Sequence, residues 1–135
     1  MTSKVIYNGD LRTTMTHLQS GQEVITDAPT DNHGKGEAFS PTDMFCTAWA
    51  SCMMTTMAIA AENRDWSVAG MHAEVTKIMS SSGPRRIAGV DVIFYMPTLA
   101  YNDEQKTLLE RAAKGCPISK SVSPEIIENI SFSWV

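Results

Sequence analysis

Three cysteines, Cys46, Cys52 and Cys116, are the residues in this chain best suited to covalent chemistry. Being few, odd in number and widely spaced, they do not form a secreted disulfide framework; in a reducing compartment they read as buried fillers or as redox groups. Cys116 stands in Gly115-Cys116-Pro117, at the start of an expected short helix, where free N–H groups and the helix dipole favour a thiolate or a sulfur leaving group; an inert cap explains the same placement equally well. Cys52 lies within Ala50-Ser51-Cys52-Met53 in a long apolar segment, and by position alone it reads as a small core residue like its alanine neighbours. Cys46, six residues earlier, is rotated by about 240° on an ideal helix, so it points elsewhere and is assigned to packing.

Other chemistries find less support. His17, His33 and His72 fall on separate elements with no CxxC or HxxxH spacing, so no metal site is expected. No GxSxG elbow is present for a hydrolase. The formal net charge is -4, and the 11 Lys and Arg residues form no run, which argues against a nucleic-acid or anionic-membrane partner. The first residues lack a sustained apolar stretch of the signal-peptide kind, so a cytoplasmic location is expected. At 135 residues the chain is expected to fold as one domain, 1–135, with enough core to need no metal or disulfide staple.

The elements that must hold these cysteines follow from periodicity. Residues 4–7, 11–18 and 23–27, with a turn at Ser20-Gly21, predict a small antiparallel meander. The run from Ala28 to Phe39 is dense in Pro, Asp, Asn and Gly and reads as a mobile loop. Segments 71–79 and 86–96, joined by Ser80-Ser81-Ser82-Gly83-Pro84, predict a long hairpin. Asn102 caps a second helix with an acidic first turn, apolar positions Leu108, Leu109, Ala112 and Ala113, and an end at Lys114-Gly115. Cys116-Pro117 then opens a short helix over 118–122, and a last strand is expected over 130–135.

Ser40-Pro41-Thr42-Asp43 announces the long helix: Ser40 can cap, Pro41 suits the first turn, and Asp43 favours the positive end. From Met44 to Ala61 no residue is charged, and a helix to about Asn63 spans roughly 33 Å, enough to raise a membrane reading. Thr47, Ser51, Thr55 and Thr56 dilute the apolarity, and Ala outweighs Leu and Ile, which favours a buried central helix. A helix apolar on every side must be surrounded, and a second subunit is a natural source of the missing cover.

Two stretches, GKGEAFSPTDMFCTAWASCMMTTM in the middle and AAKGCPISKSV near the end, together resemble the OsmC/Ohr family of osmotically inducible and organic-hydroperoxide-resistance proteins. The resemblance implies an α+β, OsmC-like fold, with antiparallel sheets wrapped around a long central buried helix, in an intertwined homodimer whose active sites lie at the subunit interface. It also implies a cysteine-based peroxidase that reduces organic hydroperoxides, and often hydrogen peroxide, at the expense of a thiol or dithiol reductant, without a prosthetic group. Cys52 then matches the peroxidatic cysteine and Cys116 the resolving one, joined by a Cys52–Cys116 disulfide after sulfenate formation. An ordinary thiol, with a pKa of about 8.5, is only about 3% thiolate at pH 7, so a cation is needed to activate it. The family uses an arginine from an early strand or loop; Arg12 is the candidate, with Arg85 and Arg86 as rivals. One departure stands out: the hydroperoxide-resistance members carry a Glu just after the helix-start proline to hold that arginine, and Thr42 stands there in this chain. That departure motivates an alternative, a non-catalytic dimer binding a small apolar ligand beside Met53, Met54, Met57, Trp49 and Phe45. Methionines at such spacing are, however, more often ordinary core.

Overall fold

The computed structural model describes residues 1–134, so Val135, the last residue of the expected final strand, lies outside the described residues. By internal contacts the chain forms two compact units, Met1–Phe45 and Cys46–Val135.

The first unit is built on the expected meander. Strands β1 (Ser3–Gly9), β2 (Arg12–His17) and β3 (Glu23–Asp27) form a sheet in that order, both pairs antiparallel. Asp10 and Leu11 make the turn from β1 to β2, with φ of 51° and 61°. Two left-handed residues match the twist of a tight hairpin, although leucine adopts that conformation at a cost. The turn delivers Arg12 onto β2 opposite Asp27 of β3.

The Gly- and Pro-rich segment after β3 is tied down by specific bonds. A 3₁₀ turn (Thr30–Asn32) is followed by Gly34 N–H bonding the Pro29 carbonyl at 2.9 Å and Glu37 N–H bonding Asp27 Oδ2 at 3.1 Å. Gly34 is required by space: a Cβ there would sit 1.6 Å from the Ala28 carbonyl oxygen.

Helix α1 (Pro41–Glu62) starts where the sequence predicts and ends one residue before the expected Asn63. Ser40 Oγ accepts the Asp43 N–H at 3.0 Å, and Asp43 Oδ2 accepts the Ser40 N–H at 3.0 Å. This reciprocal cap, with aspartate in the usual Glu position, serves two backbone donors at the start of the helix. By length and hydropathy α1 could cross a membrane, but one stripe of it carries the core: Cys46, Trp49, Ala50, Met53, Met57 and Ala61 are buried at helical spacing. The opposite stripe, Ala48, Cys52, Thr55 and Ile59, is exposed except for the half-buried Cys52, and Ile59 keeps 55% of its surface.

In the second unit, β4 (His72–Met79) and β5 (Ile87–Tyr95) form the expected hairpin, antiparallel over its length. Val90, Val92 and Phe94 alternate inward and are fully buried. Helix α2 (Asp103–Lys114) has the expected Asn102 cap, completed as a capping box by Gln105, with both bonds at 2.9 Å. Its buried stripe, Leu109 and Ala113, continues through Cys116.

Three details depart from the sequence reading. Strand β6 (Ile127–Ser133) starts three residues earlier than expected, because its pairing with β5 already begins at Gly89 opposite Ile127. That pairing is parallel, so the sheet, ordered β4-β5-β6, is mixed; α2 serves as the crossover that returns the chain to the same end of β5. The expected short helix over 118–122 is a series of turns. Its bonds mix spans, with Lys120 N–H reaching the Cys116 carbonyl and Ser121 N–H the Ile118 carbonyl, so no regular ladder develops.

Candidate functional site

In the first unit, the candidate cation is held by two carboxylates. Arg12 Nε donates to Asp27 Oδ1 at 2.7 Å and one terminal nitrogen donates to Asp27 Oδ2 at 2.8 Å, the planar two-point match that suits guanidinium to carboxylate. The same nitrogen reaches Glu37 Oε2 at 3.3 Å. Asp27 is only 1% exposed, and its carboxyl is held below the usual range, chiefly by the Arg12 hydrogen bond, against burial that pushes it up. The arginine is correspondingly driven still further toward its charged form by the Asp27 hydrogen bond and charge.

The family Glu that Thr42 was expected to lack is therefore not the only way to orient an arginine here. Thr42 instead faces Ser40, their hydroxyl oxygens 3.1 Å apart at the start of α1. Asp27 and Glu37 are functional candidates that the sequence reading missed. The cross-strand register opposite Arg12 would have pointed to Asp27, while Glu37 depends on a loop closure with no periodic signal.

In the second unit, Cys52 and Cys116 enter the same apolar cluster: Cys116 is a fully buried member, and Cys52 is half-buried and packed against it. Cys46, Cys52 and Cys116 are all free thiols. Cys46 is buried in α1, as its packing assignment expects. The Thr56 hydroxyl donates to the Cys52 carbonyl at 2.8 Å, tying the helix at that turn.

Cys116 keeps its capping geometry even without a following helix, since the Ser119 N–H points at its sulfur at 3.4 Å. Ser119 Oγ lies 3.2 Å from that sulfur, donates to Glu128 Oε1 at 2.8 Å and receives the Trp49 indole N–H at 2.8 Å. Arg86, one of the rival cations, is exposed in the β4–β5 connection and bonds the Ile87 carbonyl at 3.2 Å; Arg85 beside it is also exposed. Met53 and Met57 are fully buried core, as the bland reading of the methionines expects, whereas Met54 lines a 310 Å³ cleft with Ala58, Trp66 and Met71.

Among the described residues, two small sheets and two helices, with all three cysteines in or against one apolar cluster, define an α+β protein. The chain belongs to the OsmC-like family: the family described as OsmC-like protein matches residues 34–130. A solved structure from Psychrobacter arcticus, provisionally designated an osmotic stress induced and detoxification response protein, is 45% identical over 98% of this chain and 96% of its own, with a TM-score of 0.93. The fold is also shared with an organic hydroperoxide resistance protein OsmC from Legionella pneumophila, 17% identical over 98% of this chain and 97% of its own, at a TM-score of 0.77. OhrB of Bacillus subtilis, an organic hydroperoxide resistance protein, is 18% identical over 98% of both chains at a TM-score of 0.73. Comparison with curated protein sequences gives no match.

Proposed function

We propose that this protein is a thiol-dependent peroxidase for organic hydroperoxides, with hydrogen peroxide as a further substrate. The observation that carries the reading is that the half-buried Cys52 packs against the same apolar cluster that contains the fully buried Cys116. Cys52, on the open stripe of α1, is the thiol a peroxide can reach. Its thiolate attacks the distal peroxide oxygen, the O–O bond breaks, and the alkoxide leaves as an alcohol after taking up a proton. Cys116, protected from solvent, then condenses with the Cys52 sulfenic acid, and an external thiol or dithiol reduces the resulting disulfide. Arg12 is the cation proposed to favour the Cys52 thiolate, in the orientation given by Asp27 and Glu37. The family's hydroperoxide-resistance members make the substrate class the natural one, and no prosthetic group is called for.

A homodimer is part of the proposal. Val5, Ile6, Tyr7, Val24 and Ile25 on the first sheet leave large apolar side chains exposed, and so, separately, does Ile59 on α1; a second copy would cover such side chains. The cytoplasm, where thiols stay reduced, suits three free cysteines.

The test is peroxide consumption with tert-butyl hydroperoxide and a dithiol reductant. Cys52→Ser should abolish it, Cys116→Ser should leave a trapped sulfenate, and mass spectrometry of the oxidised parent should find Cys52 joined to Cys116. Unchanged turnover in Cys52→Ser would refute the assignment. The alternative, a non-catalytic binder of an apolar ligand, drew on the absence of a carboxylate after the helix-start proline; two other carboxylates on Arg12 remove that motive.

A further inference from the structure

The peroxidase reading gives Cys116 a task but not a means: a fully buried thiol has no water to take its proton when it attacks the sulfenic acid. The hydrogen bonds around Ser119 supply one. A serine hydroxyl has one proton to donate and two lone pairs that accept. The Trp49 indole N–H can only donate, so at 2.8 Å it occupies one lone pair. Glu128, as a carboxylate, can only accept, so at 2.8 Å it takes the single hydroxyl proton. The remaining contact, 3.2 Å from Ser119 Oγ to Cys116 Sγ, therefore runs with the thiol donating into the second lone pair. With Glu128 ionised, this count gives one directed chain from Cys116 S–H through Ser119 O–H to the Glu128 carboxylate.

Glu128 connects this chain to water. It lines an open cleft of about 490 Å³ together with Lys114, at the end of α2, and Asp91, on β5. Asp91 accepts a hydrogen bond from Asn129 at 2.8 Å, and Lys114 is the cation lining the same cleft.

We propose that Ser119 and Glu128 are a proton relay for the resolving step, making them positioning and proton-transfer residues for Cys116. As the Cys116 sulfur forms its bond to the Cys52 sulfur, the sulfenate S–O bond breaks and the hydroxide leaves as water after taking a proton from solvent. In the same step the Cys116 proton passes to Ser119, whose own proton passes to Glu128, which later releases it into the cleft. The Cys116 sulfur is oxidised and the Cys52 sulfur reduced, and the sum is one disulfide and one water.

This inference rests on the peroxidase reading, and the experiment separates the two. The reduced full-length protein is mixed with tert-butyl hydroperoxide, and two rates are followed by quenching and mass spectrometry: Cys52 sulfenate formation, then closure of the disulfide. Glu128→Gln can still accept from Ser119 but cannot take a proton. It should form the sulfenate at the parent rate and close the disulfide about 10²-fold more slowly at pH 7, the usual scale for losing a general base. Its closure rate should rise tenfold per pH unit through neutrality, where the parent is nearly flat. Ser119→Ala should show the same slow closure, and Ser119→Thr, which keeps the hydroxyl, should restore it to within a few-fold. Closure at the parent rate in Glu128→Gln, or a Ser119→Thr as slow as Ser119→Ala, overturns the relay. No sulfenate at Cys52 in the parent overturns the peroxidase reading itself.

Discussion

Asp27 grips Arg12 at two points, Nε to Oδ1 at 2.7 Å and a terminal nitrogen to Oδ2 at 2.8 Å, while being almost wholly withdrawn from solvent. A lysine has one ammonium and cannot reproduce this fork. Arg12→Lys should therefore lower the melting temperature and, if Arg12 activates Cys52, slow alkylation of Cys52 at pH 7 at least tenfold. Parent-like alkylation would transfer the activating role to another cation, with Arg85 and Arg86 next in line.

The same pair sets an acid limb on stability. The folded Asp27 carboxyl lies below its unfolded value of about 3.9, first because of the Arg12 hydrogen bond. Its stabilisation is complete above the unfolded value and drains away as pH falls through the folded one, because the unfolded chain then binds the proton more readily. Acid unfolding followed by circular dichroism should accordingly be steeper below about pH 4 in the parent than in Asp27→Asn. Superimposable acid limbs would disconnect Asp27 from the transition.

Gly34 should tolerate no side chain. A methyl at 1.6 Å from the Ala28 carbonyl oxygen forces the backbone apart between Ala28 and Glu37, pulling Glu37 from Arg12. Gly34→Ala should cost about 2 kcal/mol or more by urea titration, at the high end for single substitutions. A cost of a few tenths would mean that the loop yields freely.

The open stripe of α1 makes a separate prediction about assembly. Ile59→Glu replaces a side chain that is already 55% exposed, so the folded chain should keep its circular dichroism spectrum. If a second copy covers that stripe, a buried unpaired carboxylate opposes the contact and the protein should elute as a monomer. An unshifted elution volume would remove Ile59 from the interface.

Much of the fold was legible because local signals agreed with one another. Ser40-Pro41-Thr42-Asp43 announced α1, Asn102 with Gln105 announced α2, and the alternation of Val90, Val92 and Phe94 announced the buried face of β5. What escaped was non-local. Nothing near Ile127 in sequence says that it pairs in parallel with Gly89. The turns over 118–122 defeated a helix reading because Ser119 spends its N–H and hydroxyl on Cys116 and Glu128. At the site, cysteine identity and spacing were visible from composition and motif. The partners of Arg12 were not, because Glu37 reaches it through a loop whose shape is set by one missing Cβ at Gly34.

The parallel pairing of β5 and β6 carries a consequence for the chain as it folds. β6 can dock on β5 only after residues 96–126 have looped back, a closure that costs entropy before any contact repays it. Glu128 rides on that strand. Until it docks, Cys116 is a thiol without its acceptor network, open to whatever oxidant the folding chain meets, so the guarding of this sulfur waits on a long-range pairing rather than on its own neighbours.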